Sequence, residues 1–192
     1  MEDVFQKLIL MIRAYYPVLY LHSYEYYRTK QKIKGIVELL RREGKKVNYY
    51  QWDCVYGLVQ ILPDKTEKRI ERMQNPLEVL AYILNSKKSG EKNIFVLDDI
   101  NNHIDRDEVK LMFRKIAEAT NNNTHAIILS SIYRLPAELE KYITVLQIPL
   151  PKRNELGEVL DIVAKQSKVE LKTNLRNRLI DAALGRSEEH TS

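Results

Sequence analysis

The stretch Ile94-Phe95-Val96-Leu97-Asp98-Asp99-Ile100 decides the reading of the fold. Four apolar residues in a row, with no polar alternation, mark a strand buried on both faces, as in a parallel sheet covered by helices. Two carboxylates close the run. Asp98 and Asp99 therefore fall at the carboxyl end of a strand, where open α/β sheets bind their ligands.

Outward from this strand, apolar strands alternate with amphipathic helices. Phe5, Leu8, Ile9 and Ile12 recur at helical spacing, Pro17 stops that helix, and Val18-Leu19-Tyr20-Leu21 reads as a buried strand. A helix with Ile33, Ile36, Val37 and Leu40 on one face ends near Gly44, as helices commonly do. Val47-Asn48-Tyr49-Tyr50-Gln51-Trp52 forms a second strand, residues 57–62 a short extended piece, and residues 63–72 a charged loop or insertion. Asn75-Pro76 starts a helix whose expected stripe is Leu77, Leu80, Ala81 and Leu84, followed by a Lys-, Ser- and Gly-rich turn at 87–92. After the central strand come a helix presenting Val109, Met112, Phe113 and Ile116, a turn at Asn121-Asn122-Asn123, a strand at Ala126-Ile127-Ile128-Leu129, a short helix begun by Pro136, and a strand at 143–148. Two more helices carry Leu156, Val159, Leu160 and Val163, then Leu175, Leu179 and Ala182. The fold class is α/β: a parallel five-stranded sheet with helices on both faces over 1–150, then a short helical, lid-like segment at 151–185.

Composition narrows the class. The 192 residues are 44% hydrophobic and 30% charged, as in ordinary globular proteins. One cysteine, Cys54, permits no internal disulfide and suits a reducing cytoplasm; it reads as a packed thiol. No apolar run is long enough for a membrane-spanning helix. Glu2 and Asp3 stand where a secretory signal would be basic. The net charge of +5 is spread along the chain, a mild bias toward anionic partners. The last seven residues, RSEEHTS at 186–192, spell the in-frame translation of a common sequencing-library adapter. We expect them to be foreign to the fold, and the natural protein to continue past Gly185; the alternative is a short native polar tail.

The polar groups at the carboxyl ends of the strands are His22, Ser23, Asp53, Asp98, Asp99, Ser130 and Ser131. Asp98 and Asp99 could hold Mg²⁺ directly or through water, or could cap the turn at 100–104 by accepting backbone N–H bonds. A nucleotide site also needs a phosphate cradle, G-x-x-x-x-G-K-[ST] after a strand. The glycines stand at 35, 44, 57, 90, 157 and 185, and none fits that pattern. After the first strand the chain reads His22-Ser23-Tyr24-Glu25-Tyr26-Tyr27-Arg28, where tyrosines disfavour positive φ and Glu25 repels an anion. His22, Asp98 and His103 have no metal-ligand spacing, so no metal site is assigned. The basic positions Arg28, Lys32, Arg41, Arg42 and Lys45 could follow a phosphate backbone, with Tyr24, Tyr26 and Tyr27 for stacking. They also fit a solvated face opposite the Ile33/Val37 stripe.

Taken together, the chain resembles an AAA+ type P-loop ATPase module whose Walker A has degenerated. Asp98 and Asp99 stand at the Walker B place, and Ser130 and Ser131 at that of the sensor after the next strand. It is most similar to the N-terminal region of the bacterial and plastid AAA ATPases named for hypothetical chloroplast reading frame forty-six. The residues that carry this are LILMIRAYYPVLYLHSYEYYR, VNYYQWD, NIFVLDDINNHI and ILSSIYRLPAELEKYITVLQIPLPKRNEL. The resemblance implies a non-catalytic N-terminal module for domain packing, assembly or substrate recognition. A further C-terminal domain would then use ATP and Mg²⁺, with no cofactor in this part, in the cytoplasm or a plastid stroma. Its implied partners are that ATPase domain and further copies of the chain, with no membrane. Where AAA+ modules carry an arginine finger, before the last strand, this chain has Glu140-Lys141-Tyr142. Two other functions stay open: nucleic-acid binding through the basic helix at 28–46, and weak Mg·ATP binding through Asp98 and Asp99.

Overall fold

The structure is a computed structural model that describes residues 4–70, 73–86, 91–119, 123–167 and 169–188. Most of the turns expected at 87–92 and 121–123, and the end of the 186–192 tail, lie outside the described residues. The chain divides into two compact units, Met1–Ile148 and Pro149–Ser192.

The first unit holds α1 (Val4–Arg13), β1 (Val18–His22), α2 (Tyr26–Arg42), β2 (Val47–Asp53), β3 (Gly57–Ile61), β4 (Glu67–Arg69), α3 (Pro76–Ser86), β5 (Lys92–Asp98), α4 (Asp107–Glu118), β6 (Thr124–Ser130) and β7 (Thr144–Gln147). Short 3₁₀ turns at Ile100–His103 and Ala137–Leu139 follow β5 and precede β7. The strands form one sheet in the order β4-β3-β2-β5-β6-β1-β7. The neighbours from β2 to β7 are parallel, whereas β3 on β2 and β4 on β3 are antiparallel.

The sheet thus has seven strands, where the sequence reading expected five. The two additional strands form an edge hairpin inside the segment read as an extended piece and a charged loop. Glu67, Lys68 and Arg69 are all exposed, so β4 lacks the apolar pattern that marks a buried strand. Charge on such an edge discourages pairing with another chain.

Alternation along each strand builds two cores. Leu19, Leu21, Ile94, Val96, Ile127 and Leu129 face α1 and α2 on one side of the sheet. Tyr20, Tyr50, Phe95, Leu97, Ala126 and Ile128 face α3 and α4 on the other. Phe95 stacks on Tyr50 with ring centres 4.5 Å apart, and Tyr82 meets both edge-on. The α2 stripe Ile33, Ile36, Val37 and Leu40 is buried as its spacing predicts. On α3 the buried face is Val79, Leu80 and Ile83, rotated from the expected one. Nearly every position of that helix is apolar, so periodicity alone does not choose a face.

β1 lies between β6 and β7, although its own crossover through α2 leads to β2 at the far side of β5. Crossovers from neighbouring strands therefore leave toward opposite faces at the carboxyl ends of β1 and β6. That divergence opens a crevice, the usual ligand position in such sheets.

The second unit contains α5 (Arg153–Gln166) and α6 (Thr173–Glu188). Arg176 binds both oxygens of Asp161 at 2.7 Å and lies over Gly157, where a Cβ would meet its guanidinium at 2.6 Å. The faces expected to be buried are largely open: Val159, Val163, Leu175 and Leu179 are exposed, and Ile180 is buried instead. The backbone of α6 runs into the tail segment as far as Glu188.

At the amino ends of the strands, Lys92 and His125 are buried side by side, Nζ to Nε2 at 3.1 Å. His125 Nδ1 donates to the Tyr16 carbonyl at 2.7 Å, which leaves Nε2 to accept from the ammonium. Lys92 also donates to the Ile12 carbonyl and sits 4.9 Å from the centre of the Tyr15 ring. Tyr15 adopts the left-handed φ of 63°. These bonds tie the link between α1 and β1 to the central strands. Burial, helped by nearby Lys45, lowers the Lys92 ammonium from 10.5 to about 8. The penalty of holding the charge is then fully present below about pH 8 and relieved as pH rises toward 10.5. Urea unfolding of the wild type and of Lys92→Met should show the wild type gaining relative stability from pH 8 to pH 10. A difference that stays constant over that range contradicts the assignment.

Candidate functional site

The carboxyl ends of β5, β6 and β1 bring together Asp98, Asp99, Ser130, Ser131, His22 and Ser23. The first turns of α2 add two side chains whose pairing the sequence did not reveal, Tyr26 and Lys30. They are four residues apart and so share one face of the helix.

Lys30 Nζ donates to Asp98 Oδ2 in an ion pair that is largely shielded from water. The Tyr26 hydroxyl donates to Asp99 Oδ1 at 2.5 Å and accepts the Ser131 backbone N–H at 2.9 Å. Ser130 Oγ donates to the same Asp99 oxygen at 2.8 Å and accepts the Ile132 N–H. Asp99 has the left-handed φ of 51°, its N–H bonds to the Leu129 carbonyl, and its own carbonyl accepts from Asn102. No Asp99 side-chain bond caps the following turn, so the capping role considered from sequence does not hold for this residue.

Burial raises Asp98 above the ordinary carboxylate range; Lys30 opposes that shift, and Asp53 and Asp99 add to it. Its Oδ1 is buried without a hydrogen-bond partner among the described residues. The Tyr26 hydroxyl is raised too, first by burial and then by the bond to Asp99, which favours the protonated donor.

The crevice between β1 and β6 is bridged from both walls. His22 Nε2 donates to the Ser131 carbonyl at 2.9 Å, and Nδ1 lies 2.7 Å from the Gln147 side chain on β7. The Ser23 N–H bonds to the Ser130 carbonyl at 2.9 Å, and its hydroxyl accepts from the Glu25 N–H and contacts buried Thr29. On the other face the Tyr20 hydroxyl and Asn101 Nδ2 both donate to the Ile132 carbonyl, at 2.6 and 2.9 Å. The residues that leave β1 are therefore fastened to those that leave β6. A divalent cation on Asp98 Oδ2 would meet the Lys30 ammonium, and one on Asp99 Oδ1 would meet two hydroxyl donors. Mg²⁺ does not fit this arrangement unless Lys30 moves.

The other sequence candidates lie apart. Among the basic positions, Arg41 turns inward, donating to the Val47 carbonyl at 3.0 Å, and Lys32 lies over the Phe5 ring. Arg42 is exposed, Arg28 is half-buried, and Lys45 is 3.7 Å from Glu43. Asp53 accepts the N–H groups of Val55 and Tyr56 and so shapes the turn between β2 and β3. Cys54, read as a packed thiol, is exposed on that turn. Among the described residues no group of three His, Cys, Asp or Glu side chains could hold a metal, and no helix is long and apolar enough to cross a membrane.

Residues 4–148 match the SpoVK-like AAA ATPase N-terminal domain. The chain belongs to that family. It is 27% identical over 94% of its length to the AAA domain-containing protein ycf46 of Guillardia theta, and 27% identical over 95% to that of Trieres chinensis. It spans 34% and 35% of those proteins, about a third of their length. Among solved structures it is similar to a chain of the E. coli MS115-1 HORMA:CdnC:Trip13 complex (TM-score 0.57, 12% identity, 86% of this chain and 55% of that one). A Thermotoga maritima RuvB gives a TM-score of 0.54 at 15% identity, covering 92% of this chain and 54% of that one. These likenesses place the fold among AAA+ and P-loop NTPases.

Tyr26→Phe should keep the fold and lose about 1–2 kcal/mol of stability, because it leaves Asp99 and the Ser131 N–H each short of a partner. Urea denaturation measures this directly; an unchanged midpoint would show that the hydroxyl carries no net weight.

Proposed function

We propose that this chain is a non-catalytic N-terminal module of an AAA ATPase, serving domain packing, assembly or substrate recognition. Hydrolysis of ATP with Mg²⁺ belongs, in this reading, to a further domain of the whole protein, with residues 151–185 leading toward it and 186–192 foreign to it. The observation that carries the reading is that side chains of the module's own helix engage both carboxylates, Lys30 as an ion pair with Asp98 and Tyr26 as a hydrogen-bond donor to Asp99. Lys30 occupies one oxygen of Asp98 and Tyr26 one oxygen of Asp99, the two carboxylates that a nucleotide-bound metal would need. The segment from His22 to Arg28 offers no glycine on which phosphates could rest, which supports a degenerate Walker A.

The partners we assign are the ATPase domain of the same protein and further copies of the chain, in the cytoplasm or, for a plastid-encoded copy, the stroma. Relatives about three times longer than the chain and the AAA family support the first two. Nucleic-acid binding by the basic segment 28–46 is the weaker alternative: the helix in it, α2, ends at Arg42 rather than continuing to 46, and Arg41 and Lys30 turn inward and leave it less cationic on its open face.

Isothermal titration of the purified chain with Mg·ATP should give no heat of binding, and Asp98→Ala should behave the same way. Saturable binding by the wild type that Asp98→Ala abolishes would instead establish the weak Mg·ATP site.

A further inference from the structure

A cleft of about 320 Å³ lies between α2 and the turn that joins β3 to β4. It belongs wholly to the first unit and shares no residue with the cluster at the carboxyl end of β5. Its volume suits a small organic molecule. Lys34, Gly35, Glu38 and Arg41 line it from the helix, while Tyr49, Ile61, Leu62 and Pro63 supply its apolar side. The lining follows α2 from Gln31 to Arg41, a length of about 15 Å.

Two features mark this cleft as more than a packing gap. Gly35 stands in the middle of α2, where glycine is less stable than alanine. Its φ lies outside the left-handed region, and a Cβ there would meet nothing within 4 Å. Neither the backbone conformation nor the packing requires glycine, yet its presence leaves the helix backbone bare to a close approach. Arg41 is the second feature. It is partly buried, and its Nε and Nη2 donate to the neutral carbonyls of Val47 and Ile61 at 3.0 and 3.5 Å. Among the described residues no carboxylate forms an ion pair with it. Burial lowers its pKa from the ordinary value, with Glu38 opposing the shift. A shielded cation in contact with neutral groups alone favours an anion.

We propose that the cleft binds a small organic monoanion with a linear apolar tail, its carboxylate on Arg41 and its tail along Gly35. The charge of the lining sets the valence: Lys34, Arg41 and Lys65 stand against Glu38 and Glu67, which leaves one positive charge. The length of the lining along the helix selects a linear molecule over a compact one. This site is independent of the non-catalytic reading of Asp98 and Asp99.

Octanoate is the probe, titrated into the isotope-labelled full chain and followed by amide chemical shifts. The amides of Gly35, Leu62 and Lys65 should shift and saturate. Octylammonium, with the same tail and the opposite charge, and acetate, with the charge and no tail, should leave them in place. Gly35→Leu fills the cleft and should abolish the response. Gly35→Ala should raise Tm by roughly 2–4 °C, since the site has room for a methyl group. Arg41→Gln should weaken octanoate by roughly tenfold or more. Where Arg41→Gln does not fold, Gly35→Leu decides alone. Shifts that never saturate, an equal response to octylammonium, or full binding by Gly35→Leu would overturn the proposal. So would a lower Tm for Gly35→Ala, which would show that the fold itself needs the glycine.

Discussion

The ion pair between Lys30 and Asp98 forms where a strand buried on both faces leaves the core, and the carboxyl edge of the sheet is organised around it. β5 is sealed by β2 and β6 at its sides and by helices above and below, so its first charged side chain has little water to turn to. A carboxylate in that place must take a proton, a metal ion or a counter-charge. The chain supplies the counter-charge from α2, the helix that begins just after β1. The same helix places Tyr26 against Asp99, so one element contacts both carboxylates beside β1.

The opposite end of the sheet meets a similar demand in another way. Lys92 opens β5 and would be costly to bury, yet His125, the Ile12 carbonyl and the Tyr15 ring surround its ammonium. The strand that carries the carboxylates is thus anchored at both ends by polar contacts to other elements. Its register against its neighbours, Leu97 beside Trp52 and Ile128, follows from apolar packing between those anchors.

The parallel core was legible because continuous apolar runs such as Ile94 to Leu97 have few other destinations, and the place of Asp98 and Asp99 followed from it. The edge hairpin was not legible: Glu67, Lys68 and Arg69 pair through backbone alone, and their side chains read as loop. The face of α3 was ambiguous because its sequence is apolar nearly all round. The partners of the carboxylates were hidden for a different reason. Lys30 and Asp98 are separated by 68 residues, and Tyr26 and Asp99 by 73, so only the topology brings them together. Read locally, Lys30 belongs to a charged helix face; the position of β1 among the other strands turns it inward.

A double-mutant cycle on the full chain, comparing Lys30→Met, Asp98→Asn and the pair by urea unfolding at neutral pH, measures that interaction directly. If the ammonium is the counter-charge of a shielded carboxylate, Lys30→Met alone destabilises by about 2–4 kcal/mol. The double variant then recovers much of that loss, with a coupling above roughly 1 kcal/mol. Additive effects, with a coupling within about 0.5 kcal/mol of zero, would place the pair among ordinary surface ion pairs and contradict its central role.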